Sequence, residues 1–177
     1  MKNRKFTAGD AFPNITLPKV GGGELTLGQP LHGYDWQLVV VYRGKHCPLC
    51  TQYLTQLDQL KENFYKIGVD IVAVSADGET KADAHIAEMG LSFPVAYDLS
   101  IEQMQSLGLY ISQPISSQET DQPFAEPGIY VINENGQVQV IDISNVPFAR
   151  PDLEQLAGGL EWIRNPENNY PIRGTYQ

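Results

Sequence analysis

The sequence predicts an α/β fold in which a central mixed sheet is flanked by helices. Residues 37–43 (QLVVVYR) and 69–76 (VDIVAVSA) are nearly continuous apolar, β-branched runs, which are typical of strands buried on both faces. Between these runs, apolar residues recur at steps of three and four from Leu49 to Ile67, as on one face of a helix. A strand, a helix and a second strand in this order place the two strands parallel to each other.

The segments outside this unit complete the prediction. Short β patterns on both sides of the glycines at 21–23 indicate an N-terminal β-hairpin. Residues 78–108 predict two helices around a short strand, which form a helical insertion. Residues 128–143 predict a second hairpin that turns at Asn133–Gly136, and the leucine spacing from Leu153 onward predicts a last helix.

The predicted elements follow the order of the thioredoxin fold, which is a hairpin, a βαβ unit, a helical insertion and a ββα unit. A chain of 177 residues is long enough for one domain with a substantial core, so residues 1–177 are predicted to form a single thioredoxin-like domain. Residues 165–177 show no periodicity and are predicted to be an irregular tail. Gly158 and Gly159 weaken the last helix, and we expect them to mark close packing of that helix on the sheet.

The charge and hydropathy of the chain argue against some classes of partner. A formal net charge of −9 and a pI near 4.7 do not suit nucleic acid or an anionic membrane, which attract a basic face. No segment approaches the ~20 apolar residues that span a bilayer. The basic start MKNRKFTAGDAF is not followed by the apolar run of a secretory signal. We therefore expect a cytoplasmic protein without nucleic-acid or membrane partners.

The two cysteines of the chain, Cys47 and Cys50, lie where the buried strand turns into the helix. Pro48 suits the first helical position, since proline lacks the N–H group that is unpaired there. Free N–H groups and the helix dipole favour a thiolate at this end, and Arg43 and His46 add positive charge or donors. The pKa of the nucleophile is then expected below the ~8.5 of a free cysteine. Cys50, one turn later, can attack a sulfur on Cys47, so the spacing supplies a nucleophile and a resolving partner.

Two other interpretations of the cysteines are weaker. A zinc site needs two further ligands at short spacing, and the histidines at 32, 46 and 85 form no paired motif. Two inert buried cysteines are the other alternative, since free cysteine packs as a small apolar residue. The position between strand and helix favours redox chemistry, and we expect neither a metal nor an organic cofactor. His32 and His85 are predicted to lie at the surface, and Tyr42 in the core or a groove wall.

The stretch VVVYRGKHCPLCTQYLTQL, residues 39–57, resembles the peroxiredoxin-like group of the alkyl hydroperoxide reductase / thiol-specific antioxidant family, with its Y-R-G-x-x-C-P-x-C signature. The likeness continues through GDAFPNITLPKVGGGELTL, VDIVAVSAD, FPVAYDLSIEQMQSLGL and EPGIYVINENGQV, and it covers residues 6–164. It implies a thioredoxin fold and thiol-based reduction of peroxides or disulfides. It also implies a thiol electron donor, such as thioredoxin or glutathione, and a homodimer.

The resemblance adds candidate site residues. Pro127 matches the cis-proline that faces the cysteine pair in thioredoxin-like folds, and the alternative is an ordinary trans turn proline. Arg150 resembles an arginine that many peroxiredoxins carry near the reactive cysteine, and the alternative is a charge outside the last helix. Arg43 either stabilises a thiolate or an oxyanion, or is a solvated residue at the strand end. His46 is expected to tune a thiol pKa or to carry a proton.

The sequence departs from the typical peroxiredoxin motif P-x-x-x-T-x-x-C, whose last cysteine attacks the peroxide. On that alignment Cys50 attacks, Cys47 replaces the Thr and Arg43 replaces the Pro. On the alignment with thioredoxin, Cys47 is the exposed nucleophile and Cys50 the buried resolving residue. We favour the second alignment, because Cys47 is nearer to the helix start and its dipole.

Four functions are compatible with these residues. The first is a thiol peroxidase, in which a sulfenic acid condenses to a Cys47–Cys50 disulfide. The second is a reductase of protein disulfides, which acts through a mixed disulfide. The third is a copper carrier, since thiolates and a histidine bind Cu(I), although copper-delivering proteins of this fold space their cysteines differently. The fourth is a non-catalytic interaction module. We place the peroxidase first.

Overall fold

The computed structural model describes residues 4–177, and its elements follow the predicted order. The strands are β1 (Thr16–Pro18), β2 (Glu24–Thr26), β3 (Trp36–Val41), β4 (Val69–Val74), β5 (Val95–Ala96), β6 (Ile111–Ser112), β7 (Phe124–Ala125), β8 (Gly128–Ile132) and β9 (Val138–Ile143). The helices are α1 (Pro48–Tyr65), α2 (Glu79–Met89), α3 (Ile101–Ser106) and α4 (Leu153–Arg164). One 3-10 turn, Pro166–Asn168, interrupts the irregular tail. Within the described residues, no helix has both the length and the apolarity to cross a membrane.

Five strands form the central sheet, in the order β5-β4-β3-β8-β9. Strand β3 pairs parallel with β4 and antiparallel with β8, so the sheet is mixed, as predicted. Every residue of β3 and of β4 is buried, which explains their nearly continuous apolar sequences. The cysteine-bearing segment follows β3 and therefore begins in the middle of the sheet.

Apolar layers cover both faces of this sheet. Along β3, Leu38 and Val40 point into the layer that contains α1 and α4, whereas Val39 and Val41 point into the layer under the N-terminal hairpin and α3. Cys47 belongs, like Cys50, to the first of these layers. The two thiols are thus built into the main core rather than placed on a surface loop.

Both predicted hairpins are present. Strands β1 and β2 pair antiparallel around the glycines at 21–23, which all have positive φ. Strands β8 and β9 pair antiparallel around a turn in which the Asn133 side-chain oxygen accepts the N–H groups of Asn135 and Gln137. The second hairpin continues from Pro127 and leads into the segment that carries Arg150.

Two expectations about the helices are wrong. Leu49 is 40% exposed, and the buried side of α1 is formed instead by Cys50, Leu54, Leu57 and Phe64. The apolar stripe therefore begins at Cys50 and not at Leu49. A Cβ atom on Gly158 or Gly159 would meet no heavy atom within 4 Å, so these glycines do not mark close helix packing.

Candidate active site

The two cysteines occupy the first turn of α1. Cys47 is the N-cap residue, with extended backbone angles (φ −109°, ψ 101°), and Pro48 follows as the first helical residue, as predicted. The N–H group of Cys50 donates to Sγ of Cys47 over 3.3 Å. The sulfur of Cys47 thus takes the place of the oxygen that usually caps a helix, and it accepts an N–H group that would otherwise be unpaired.

The two thiols ionise very differently. The pKa of Cys47 is lowered to about 6, first by a hydrogen bond from the Cys50 thiol, then by the Cys50 N–H group and the Arg43 guanidinium, against the effect of burial. The pKa of Cys50 is raised, because its proton is held by Cys47, its side chain is buried and the Cys47 charge lies next to it. Both cysteines are free thiols. At neutral pH, Cys47 is therefore a thiolate and Cys50 a thiol.

Cys47 was predicted to be exposed, and in the structure it is buried. Only 2% of Cys47 is accessible, and Cys50 is fully buried. The Cys47 N–H group donates to the Gly44 carbonyl over 3.2 Å, which folds residues 44–47 into a tight turn just before the helix. With so little of its surface accessible, the thiolate is offered to small reagents only.

Arg43 is a partly buried ion-pair partner of the buried Glu126 and not a solvated residue at the strand end. Its Nε lies 3.2 Å from Oε2 of Glu126, and its Nη2 lies 4.0 Å from Oε2 of Glu119. Neither Nε nor Glu126 Oε2 has an aligned hydrogen-bond partner, so their contact is mainly ionic. The other Glu126 oxygen accepts the Ser112 hydroxyl over 2.8 Å, and the guanidinium lies over the Phe124 ring. These contacts fix the guanidinium beside Cys47.

A buried carboxylate shapes the loop between Arg43 and Cys47. Asp77 accepts the N–H group of Lys45 over 2.8 Å. Gly44 has a φ of +137°, and a Cβ atom at this position would lie 2.7 Å from Oδ1 of Asp77. Only glycine lets the backbone approach the carboxylate this closely. Asp77 follows β4, so a side chain from the neighbouring strand holds the cysteine loop.

His46 lies beside the site but does not supply positive charge. Its ring packs edge-on against Phe124, with 4.5 Å between the ring centres. Burial lowers the pKa of His46, and the Arg43 charge lowers it further. Neither ring nitrogen has a hydrogen-bond partner. The imidazole is therefore neutral at pH 7, and both of its nitrogens are buried without a partner.

His85 is fully buried, so its predicted surface position is wrong. Its Nε2 lies 2.8 Å from the Thr51 hydroxyl, which also contacts the Cys47 carbonyl oxygen at 3.3 Å. The His85 ring packs 5.8 Å from Tyr42, which lies in the core, as predicted. The spacing of Ala82, His85 and Met89 on α2 could have revealed this apolar face.

Arg150 and Pro127 flank the second hairpin, and contacts with the cysteine helix are found for Arg150. The Arg150 guanidinium carbon lies 4.3 Å from the centre of the Tyr53 ring, one turn after Cys50. Arg150 is thus packed against α1 rather than solvated outside α4. The peptide bond before Pro127 is trans, because residues 4–177 contain no cis peptide bond, which corrects the cis prediction. Trans is the intrinsically preferred form, and the Pro127 carbonyl accepts the Ser144 N–H group in an extended, strand-like segment.

The described part of the chain contains no cluster of three or more His, Cys, Asp or Glu side chains that could hold a metal ion. The donors around Cys47 are engaged in other contacts, since the nearby carboxylates of Glu126 and Asp77 bind Arg43 and a backbone N–H group. What the arrangement offers chemically is a thiolate, a thiol within reach of it and two flanking guanidinium groups.

Comparison with known proteins agrees with this chemistry. A family model described as Redoxin matches residues 7–157. A Mycobacterium tuberculosis protein named as a candidate peroxiredoxin is 25% identical over 141 residues, which cover 78% of this chain and 86% of that protein. The thiol-disulfide oxidoreductase ResA of Halalkalibacterium halodurans is 25% identical over 132 residues, which cover 74% of this chain and 65% of that protein.

Solved structures show the same fold. A mutant of peroxiredoxin 6 of Arenicola marina superposes with a TM-score of 0.74 at 18% identity, covering 92% of this chain and 75% of that one. AhpC of Mycobacterium bovis gives a TM-score of 0.72 at 18% identity, covering 98% and 99% of the two chains. The predicted thioredoxin-like fold is thereby confirmed.

Proposed function

This chain belongs to the redoxin family, as its cysteine motif predicts, and on that premise we propose that it is a thiol peroxidase. The observation that carries the proposal is the state of Cys47, a thiolate with a pKa of about 6 and only 2% of its surface accessible. A protein disulfide must bring a bulky chain into line with the attacking sulfur. A peroxide presents only two oxygens, which suits a thiolate with so narrow an opening.

The reaction proceeds in two steps on the two sulfurs. The Cys47 thiolate attacks one peroxide oxygen, the O–O bond breaks, and the other oxygen leaves as an alcohol or water after taking a proton. Cys47 is then a sulfenic acid. Cys50 attacks the oxidised sulfur, hydroxide leaves as water, and a Cys47–Cys50 disulfide remains. Two electrons from an external thiol donor, thioredoxin-like or glutathione-like, restore the dithiol.

Arg43 supports the first step by stabilising the thiolate and the charge that develops on the leaving oxygen. Its ion pair with Glu126 holds it in place before a peroxide arrives. His46, neutral and without hydrogen-bond partners, is a candidate base that takes the proton of the attacked oxygen and returns it to the leaving oxygen.

Reduction of protein disulfides is the second candidate. It is favoured by the C-x-x-C pair at the helix start and by the likeness to proteins named thiol-disulfide oxidoreductase ResA. In that reaction the Cys47 thiolate attacks a substrate sulfur, and Cys50 then releases the substrate thiolate. The two candidates share the same pair of thiols and differ in the size of the group that must reach Cys47.

A pair of steady-state assays separates the two candidates. Peroxide consumption with dithiothreitol is expected to exceed the rate of free thiols greatly, while insulin disulfide reduction stays near the rate of dithiothreitol alone. The reverse pattern would establish the reductase. If neither assay exceeds its blank, the non-catalytic interaction module is the better interpretation, and Cu(I) titration then tests the copper carrier.

Single variants assign the two sulfurs. Cys47→Ser is expected to abolish turnover, whereas Cys50→Ser is expected to keep the first step and accumulate a sulfenic acid on Cys47. Mass spectrometry with a sulfenic-acid trap after one equivalent of peroxide reads this directly. Trapped oxidation on Cys50 in the Cys47→Ser protein would show that Cys50 is the attacking residue. The homodimer and the cytoplasmic location stay predictions, which gel filtration and cell fractionation test.

A further inference from the structure

Arg150 lies against the helix that carries the cysteines, and part of its guanidinium has no partner. The guanidinium stacks on the Tyr53 ring at 4.3 Å, and the Tyr53 hydroxyl donates to the carbonyl oxygen of Pro151 over 2.7 Å. Tyr53 follows Cys50 by three residues, so both side chains lie on neighbouring parts of one face of α1. Nη1 of Arg150 is buried without a hydrogen-bond partner. The structure thus holds a positive charge on the Cys50 side of the helix.

The environment of Cys50 changes when Cys47 reacts. In the reduced protein, the pKa of Cys50 is raised first by its hydrogen bond to Cys47, then by burial, then by the Cys47 charge, and it is lowered by Arg150. The hydrogen bond, and the repulsion between a Cys50 thiolate and the Cys47 charge, both come from the Cys47 thiolate. Once Cys47 carries a substituent, it is neutral and both influences end. Burial then opposes ionisation of Cys50, and the Arg150 charge favours it.

We propose that Arg150 is the cation of the second step, in which its guanidinium stabilises the Cys50 thiolate while that sulfur attacks Cys47. This inference rests on the proposed function. It assigns Arg43 to the sulfur of Cys47 and Arg150 to the sulfur of Cys50. Cys50 gives its proton to solvent, and its lone pair forms the Cys47–Cys50 bond. The bond from Cys47 to its substituent breaks, and the electron pair leaves with hydroxide or with a thiolate. Arg43, beside Cys47, serves the first step.

The other groups around Cys50 do not replace Arg150 in this role. They are Tyr42, Cys47 and Arg43 near the thiol, and Asp142 and Asp152 near Tyr53. Burial raises the pKa of Tyr42, so its hydroxyl is neutral at pH 7. Arg43 contributes a backbone hydrogen bond to Cys50 and directs its guanidinium to Cys47 and Glu126. The aspartates carry negative charge and would oppose a thiolate.

Reaction with methyl methanethiosulfonate, a small reagent, separates the two steps, since the first step releases methanesulfinate and the second releases methanethiolate. Quenched-flow mass spectrometry follows them as the S-methyl adduct on Cys47 and its conversion to the Cys47–Cys50 disulfide. The first release reports attack by Cys47, and the second, which is unimolecular, reports attack by Cys50. Arg150→Gln is expected to slow the second release by about 3- to 30-fold at neutral pH, because one nearby opposite charge shifts a pKa by about 1–3 units and the higher nucleophilicity of a more basic thiolate offsets about half of that effect. The pH profile of the second release shifts upward by the same amount. The first release keeps its rate, which also shows that the variant is folded.

Two further variants are controls. Arg150→Lys keeps the charge and is expected to restore part of the second rate. Arg164→Gln removes another arginine that stacks on an aromatic ring, Trp36, at the opposite end of β3, and is expected to change neither release. An unchanged second release in Arg150→Gln, or an equal slowing of both releases, would overturn the inference. The reagent needs only the two thiols, so the result is independent of whether the protein consumes peroxide.

Discussion

Replacing Cys50 by alanine tests the cause of the low pKa of Cys47. The largest influence that lowers this pKa is a hydrogen bond from the Cys50 thiol. Cys50→Ala removes the donor, and Cys50→Ser keeps a hydroxyl in its place. Both variants contain a single thiol, so each titration curve belongs to Cys47 alone. The comparison between the two therefore isolates one hydrogen bond.

The size of the effect follows from the energy of a hydrogen bond to a charged group. Such a bond contributes about 1.5–3 kcal/mol, and one pKa unit corresponds to about 1.4 kcal/mol. Its loss should raise the pKa of Cys47 from about 6 to roughly 7–8 in Cys50→Ala. At pH 7 the thiolate fraction then falls from about nine tenths to between about one tenth and one half. In Cys50→Ser the pKa should stay close to 6.

The assay is the ultraviolet absorbance of the thiolate as a function of pH, supported by the pH dependence of alkylation with iodoacetamide. Circular dichroism confirms that both variants are folded, since alanine leaves a small cavity in the core. Equal pKa values of Cys47 in the alanine and serine variants would refute the reasoning. The low pKa would then come from the helix start and from Arg43.

Three further outcomes are expected. Arg43→Met leaves the Glu126 carboxylate buried without its cation and should lower the free energy of unfolding by about 3–5 kcal/mol in urea titrations; a loss below 1 kcal/mol would show that water already solvates the pair. Gly44→Ala forces a Cβ atom against Asp77 at a φ of +137° and should cost about 1–3 kcal/mol and slow alkylation of Cys47; wild-type values would show that the loop is freely adjustable. Between about pH 6, the pKa of Cys47 in the folded protein, and pH 9.0, its ordinary pKa, the unfolded chain binds more protons than the folded chain. The free energy of unfolding of the reduced protein should therefore rise with pH across this window. Cys47→Ser should lose this rise, and a variant that keeps it would place the titration on another group.

The strand–helix–strand unit and the position of the cysteines could be predicted because their signals are local. Strand β3 is apolar along its whole length, and the motif from Cys47 to Cys50 follows it directly. The chemistry of a helix start then suggests which thiol ionises. Neighbours along the chain carry all of this information.

The partners of that motif could not be predicted, because tertiary contacts bring them from distant segments. Asp77 reaches the cysteine loop from the end of β4, and Glu126 reaches Arg43 from the strand pair before the second hairpin. A carboxylate in a loop has no sequence pattern that reveals a buried ion pair. The burial of His85 could have been predicted from its helical spacing to Ala82 on the apolar face of α2. A lone histidine among charged residues nevertheless resembles a surface residue.

The unequal ionisation of Cys47 and Cys50 determines how the reduction potential depends on pH. Above pH 6 the reduced protein holds one thiol proton, and below pH 6 it holds two, because Cys47 titrates at about 6 and Cys50 stays protonated. Reduction of the proposed disulfide therefore takes up two electrons with two protons in acid and with one proton at neutral pH. The midpoint potential should fall by about 60 mV per pH unit in the first range and by about 30 mV in the second. A stabilised thiolate also favours the dithiol over the disulfide, so electrons should flow readily from ordinary cellular thiols into this site.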